Sequence, residues 1–215
     1  MTIFKSEILE QFGVNMNVLA AEGRFDPVIH REFEIRSILE ILCRKNKNNP
    51  VLVGEPGVGK TAVVEKLASL LLEGNLPEIL QDKVIYSLPV SNLVAGTRYR
   101  GEFEERLNLI LKEVQRHRNR VILFIDEIHN TIGTGSAKGS LDISNILKPA
   151  ISRGEFRLIG ATTHREFEAF IGQDKAFERR FQKVDIPEPD IQTAILMVHG
   201  IKGRYEAHHG LPISD

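Results

Sequence analysis

Pro50-Val51-Leu52-Val53-Gly54-Glu55-Pro56-Gly57-Val58-Gly59-Lys60-Thr61 decides the fold of this 215-residue chain. Its first four residues read as a short apolar strand, and Thr61-Ala62-Val63-Val64-Glu65-Lys66-Leu67-Ala68 continues as a helix with Leu70 to Leu72 behind it. Between them, Gly54 to Thr61 has the glycine, lysine and threonine spacing of a phosphate-binding loop. Glycines let successive backbone N–H groups turn inward, and the helix that follows presents its positive end to the phosphates. Chance would produce the pattern in about one chain of this length in a hundred, and the strand and helix around it lower that further. Gly54, Glu55, Pro56, Gly57, Val58, Gly59, Lys60, Thr61 and Ala62 are therefore the expected nucleotide contacts, with Lys60 on the β/γ-phosphates and Thr61 on Mg²⁺.

Outward from the loop, strand and helix patterns alternate. Lys83 to Leu88, Val121 to Ile125, Phe156 to Ala161 and Phe181 to Ile186 read as further strands. The segments Gly101 to Arg116, Leu141 to Ser152 and Ile191 to His208 read as helices. Upstream, Arg31 to Lys47 has apolar positions Phe33, Ile35, Ile38, Leu39, Ile41 and Leu42, preceded by one or two short helices over residues 6–24. The expectation is an α/β domain with a parallel, five-stranded sheet flanked by helices. A helical leader spans 1–24, the nucleotide-binding unit spans 25–189, and 190–215 starts a second, helical unit.

A net charge of −1 provides no global field for nucleic acid or an anionic membrane, so partners must be recognised locally. The single cysteine, Cys43, forbids an internal disulfide and, following Ile41 and Leu42, reads as a structural thiol. No window approaches the 18 apolar residues of a membrane span, and Met1 to Lys5 lacks a signal-peptide pattern, so the expected location is cytoplasmic, or an organelle matrix or stroma. His208-His209 reads as a polar helix end, and no His/Cys spacing suggests a metal ligand set.

Val121-Ile122-Leu123-Phe124-Ile125-Asp126-Glu127 delivers two carboxylates at the C-terminal end of a buried strand, where open α/β sheets bind ligands. Asp126 suits the Mg²⁺ shell and Glu127 the polarisation of an attacking water, so the pair suggests hydrolysis beyond binding. Gly160-Ala161-Thr162-Thr163 ends another strand in hydroxyls, suited either to γ-phosphate contact or to a helix cap. Arg179-Arg180 reads either as a solvated charge pair or as a guanidinium pair offered to a neighbouring subunit's phosphates. Tyr99, between Arg98 and Arg100, reads either as a mobile loop tip or as a buried tyrosine. For His129 both a proton shuttle and an orienting or packing role stand on the residues.

With these residues in place, the chain resembles, over nearly its whole length, the first ATPase domain of the Clp family of AAA+ protein-unfolding chaperones. The resemblance rests on Asp26-Pro27-Val28-Ile29, Asn48-Asn49-Pro50, the phosphate loop, Ala95 to Arg106, the Asp126-Glu127 strand, Leu147-Lys148-Pro149-Ala150, Gly160 to Thr163 and Glu178-Arg179-Arg180-Phe181. It implies a P-loop NTPase fold of AAA+ type using ATP and Mg²⁺, with Asp126 and Glu127 as the Walker B pair and Thr163 as the sensor. It further implies Arg179 and Arg180 as fingers reaching the next subunit's ATP, adenine contact at Val28 and Ile29, and Arg98, Tyr99 and Arg100 as a pore loop gripping polypeptide. Gly133 to Gly139 resembles a second pore loop, and His30 stands where the family usually has glycine. The implied assembly is a ring, usually a hexamer, acting on unfolded or aggregated polypeptide, with a peptidase or chaperone as a further partner. It also implies that Asp215 falls within the small helical subdomain, before the sensor 2 segment. Two other readings stand beside it: a nucleic-acid AAA+ machine using Arg116, His117, Arg118 and Arg120, charges that the helix dipole already accounts for, and a nucleotide-binding or assembly fragment with little activity alone.

Overall fold

The computed structural model describes residues 3–97, 100–132, 144–172, 175 and 179–214. Helices α1 (Glu7–Phe12) and α2 (Met16–Ala21) flank strand β1 (Val14–Asn15), and α3 (Glu32–Cys43) leads into β2 (Asn49–Val53). Then come α4 (Lys60–Glu73), β3 (Val84–Ser87), α5 (Val90–Val94), α6 (Arg100–Arg116), β4 (Val121–Ile125) and α7 (His129–Ile132). The chain continues through α8 (Ser144–Arg153), β5 (Arg157–Thr162), the short turn α9 (His164–Glu166), β6 (Phe181–Asp185) and α10 (Ile191–His209).

The strands form one six-stranded sheet in the order β1-β3-β4-β5-β2-β6. Five are parallel, as the strand–helix alternation predicts, because each parallel pairing needs a helical crossover. The sixth, β1, is antiparallel to β3, pairing Val14 with Ser87 and Asn15 with Tyr86. At two residues it is too short to show an alternating pattern. It nevertheless stitches the N-terminal segment to the sheet, with Asn17 receiving Ile85 N–H on Oδ1 and donating to the Ala68 carbonyl.

Side-chain alternation along the strands divides the core into two layers. Val51, Val53, Leu123 and Ile125 face one apolar cluster with Phe103, Leu107 and Leu147, while Leu52, Ile122 and Phe124 face another with Ile38, Val64 and Leu67. Both faces are covered, so β2 and β4 are buried along their whole length, and β4 is apolar throughout.

Helix α3 departs from the sequence reading in two ways. Phe33 is 80% exposed, because the buried stripe runs through Glu34, Ile35, Ile38, Ile41 and Leu42. The helix ends at Cys43 rather than Lys47, where Arg44 turns extended and Lys47 adopts a left-handed φ of 49° to bring the chain round to Asn49. Cys43 is half-buried, and burial pushes its thiol up.

Candidate phosphate site at the strand ends

Strands β2, β4 and β5 end side by side, and backbone bonds lock those ends together. Gly54 N–H donates to the Thr162 carbonyl at 3.2 Å, and Ile128 N–H donates to the Ala161 carbonyl at 2.9 Å. Glu127 makes the second bond possible by taking a left-handed φ of 48°, a costly conformation for a non-glycine residue that clusters at functional sites.

The phosphate loop depends on its glycines. Gly57 and Gly59 have φ of 84° and 94°, and Gly59 is the N-cap of α4 with no side chain to occupy the first N–H groups. Lys60 Nζ is held over the loop by the carbonyls of Gly54 and Glu55, at 3.0 and 2.9 Å. Thr61 Oγ1 donates to Asp126 Oδ2 at 2.8 Å, joining the loop to the end of β4. Asp126 Oδ1 accepts the Glu127 N–H, and Glu127 Oε2 accepts from Asn130 Nδ2 at 3.0 Å.

Gly57, Gly59, Lys60, Thr61, Asp126 and Glu127 line a cleft of about 860 Å³ whose other walls include Pro89, Ser91, Thr162 and Glu166. Thr61 and Asp126 offer adjacent oxygens to a hard cation. Among the described residues no three His, Cys, Asp or Glu side chains converge as a metal site. The Thr61 and Asp126 oxygens fit Mg²⁺, which is usually held by one or two protein oxygens with phosphate and water completing its shell.

Thr163 takes the helix-cap geometry: its Oγ1 donates to Glu166 Oε2 at 2.7 Å and accepts Glu166 N–H at 3.3 Å. Thr162, 2% exposed, sits deeper, with Oγ1 3.2 Å from Glu166 Oε2 and 3.1 Å from His129 Nδ1. Burial pushes the Glu166 carboxyl up, but the Thr163 bonds, the His129 charge and the Thr162 bond outweigh it and leave the group below the usual carboxylate range. Glu166 was missed by sequence reasoning, although Thr163-x-x-Glu166 is itself a capping-box signal.

The other expected contacts lie elsewhere. Val28 and Ile29 are half-buried outside the walls of this cleft, and Ile29 packs against Gly200 of α10. His30 has a left-handed φ of 56°, the backbone region that favours glycine. Arg179 and Arg180 line a separate basic hollow of about 740 Å³ with Arg44 and Lys47. The Arg180 carbonyl pairs with Asn49 N–H at the start of β2, whereas the phosphate loop follows its end. A five-residue strand thus separates the arginines from their own cleft by about 16 Å. Arg98 and Tyr99 lie outside the described residues, as does the Gly133 to Gly139 loop, and Arg100 opens α6.

The profile of the ATPase family associated with various cellular activities (AAA) matches residues 50–185, from β2 to the end of β6. The chain is 52% identical over 209 residues to the chaperone protein ClpB of Lactiplantibacillus plantarum, a match covering 97% of this chain and 24% of that protein. The chain belongs to the Clp family of AAA ATPases. A second Clp relative, ClpB of Bacteroides thetaiotaomicron, is 52% identical over 96% of the chain and 24% of its own length. Two solved Hsp104 structures from S. cerevisiae share the fold at 44% identity. One, in complex with casein, has a TM-score of 0.85 and covers 97% of this chain and 35% of that one. The other, an ADP complex, has a TM-score of 0.87 and covers 96% and 29%. The chain thus spans about a quarter of the length of its ClpB relatives, 24%.

Proposed function

We propose that this chain is the ATP-hydrolysing module of a ring-forming protein unfoldase that threads polypeptide through a central pore. The observation that carries the reading is the Thr61–Asp126 hydrogen bond at 2.8 Å, which joins the phosphate loop to the acidic strand end beside Glu127. A chaperone name for the ClpB relatives and a casein complex for Hsp104 support the polypeptide substrate.

In this mechanism the α4 N–H groups and Lys60 bind the phosphates, and Thr61 and Asp126 would hold Mg²⁺, which supplies charge neutralisation of the phosphate oxygens. Glu127 accepts a proton as a water oxygen bonds to the γ-phosphorus and the β–γ bridging P–O bond breaks, leaving ADP and phosphate. Thr162 and Thr163 face the γ-phosphate end, positioned by Glu166. Arg179 and Arg180 stand too far from their own cleft to serve it, and this distance favours action on a neighbouring subunit's ATP. Arg98, Tyr99 and Arg100 form the pore loop, where a tyrosine ring offers amphipathic contact to a chain of any sequence. Assembly is hexameric, in a cytoplasmic compartment.

The test is Glu127→Gln. ATP affinity, read with a fluorescent analogue, is expected to stay within about twofold of wild type, while turnover falls by about 10²–10⁴-fold. Unchanged turnover removes Glu127 from its role. Because the arginines act in trans, turnover per chain is also expected to rise with protein concentration; a flat dependence rejects the inter-subunit site.

A further inference from the structure

Arg31 lies outside the cleft and is 5% exposed. Its guanidinium is divided three ways: Nη1 donates to Glu34 Oε1 at 2.9 Å, and Nη2 donates to the carbonyls of Val58 at 2.9 Å and Pro187 at 3.0 Å. The Arg31 and Glu34 side chains are 6% and 9% exposed, one helical turn apart, so the charge is answered locally. Apolar residues of similar volume would fill the same space without the desolvation of two ions. What an apolar pair lacks is the planar fork that reaches two carbonyls from distant parts of the chain.

Those two carbonyls belong to elements with different tasks. Val58 is inside the phosphate loop, two residues before Lys60, and Pro187 is the second residue of the connection from β6 to α10. The connection also lies against the loop directly. Ile186 N–H donates to the Val53 carbonyl at 2.8 Å, and a Cβ added at Gly54 would stand 2.4 Å from the Ile186 oxygen. At the far end, α10 returns to the segment that carries Arg31. A Cβ at Gly200 would meet Ile29 Cδ1 at 1.8 Å, and Arg204 donates to the carbonyls of Gly23 and Phe25.

We propose that Arg31 is a positioning residue that makes the phosphate loop and the 186–190 connection shift together, so that phosphate occupancy is transmitted to α10. The inference rests on the nucleotide reading of the loop. A loop carbonyl moved by a bound phosphate pulls on the same guanidinium that holds Pro187. Lys60 and Thr61 bond instead to Gly54, Glu55 and Asp126, none of which belongs to the connection.

Amide hydrogen exchange by mass spectrometry on the 215-residue chain, with and without ADP, tests it. In the wild type ADP slows exchange both in the 54–61 loop and in the 186–192 segment. In Arg31→Lys, and in the double variant Arg31→Met/Glu34→Met that removes the buried ion pair without leaving an orphan charge, ADP still protects the loop. Its effect on 186–192 falls roughly fivefold or more. A purely structural brace would speed exchange in both ligand states and leave the ADP-dependent difference intact. Equal ADP protection of 186–192 in wild type and variants, or loop protection without 186–192 protection in the wild type, overturns the coupling alone. Absence of protection anywhere in the wild type overturns the nucleotide reading and the coupling with it.

Discussion

Helices α4 and α10 are the two long helices that frame the connection from loop to C-terminus, and they are stabilised in opposite ways. Five of the α4 residues, Val63, Val64, Leu67, Ala68 and Leu71, are buried against the sheet, while α10 has none buried and leaves Ile191 81% exposed. Their ends reverse the contrast. The N-cap of α4 is Gly59 with no side-chain bond, whereas Asp190 caps α10 by accepting Thr193 N–H at 2.7 Å and Gly210 closes it at a left-handed φ of 67°. A helix whose first N–H groups must stay free for phosphate cannot be secured by a capping side chain, so burial has to do it. One with little burial depends on its caps and on a few contacts, here Gly200 on Ile29 and Arg204 beside Asp26.

The largest break in that comparison comes from the α4 core. Leu67 is fully buried in the cluster that includes Ile38, Leu52 and Val64, and Leu67→Ala is expected to lower unfolding free energy by about 2–5 kcal/mol. The measurement is the urea midpoint. A loss under about 1 kcal/mol would mean that α4 is not held by its buried face.

Both helices are visible in the sequence, but the contrast between them is not. Apolar residues recur in α10 as they do in α4, and only the folded arrangement shows which stripe is buried. The phosphate loop, Thr61, Asp126 and Glu127 are legible because the chemistry demands those residue types at fixed local spacing, and the structure gathers them around one cleft. Contacts between distant parts of the chain are different. Nothing in Arg31 announces a bond to Pro187, 156 residues away, and nothing in Val14-Asn15 announces a strand. Phe33 misleads because an apolar residue beside a helical stripe looks like part of it, while buried Glu34 looks polar until its ion pair with Arg31 is seen. Glu166 was legible as the acid of a capping box, yet its link to Thr162 and His129 requires β5 and α7 to be neighbours in space.

A smaller, local effect is expected at the cap of α10. The backbone N–H of Thr193, then its hydroxyl, hold the Asp190 carboxyl below its ordinary range. A carboxyl depressed by folding stabilises above its unfolded pKa, and that contribution is lost as pH falls through the folded value. Asp190→Ala at neutral pH and acidification of the wild type are therefore expected to have the same signature: lower amide protection factors at Thr193 and Ala194, each corrected for the intrinsic exchange rate at its pH, with the urea midpoint almost unmoved. Protection factors insensitive to both changes would show that the Ile29 and Arg204 contacts hold the first turn without the cap.

Smallest of all should be Leu196→Ala. Leu196 is half exposed on α10, so truncation removes little buried area, and alanine has a helix propensity at least as good as leucine. The two effects oppose each other, and the expected change in unfolding free energy is within about 0.5 kcal/mol. Set beside Leu67→Ala, the same substitution on a helix of the same fold isolates burial as the variable, since residue type, backbone conformation and side-chain volume are matched. A loss at Leu196 approaching that at Leu67 would mean that α10 buries this face against something in solution, and the concentration dependence of the urea midpoint would then identify whether a second copy of the chain supplies it.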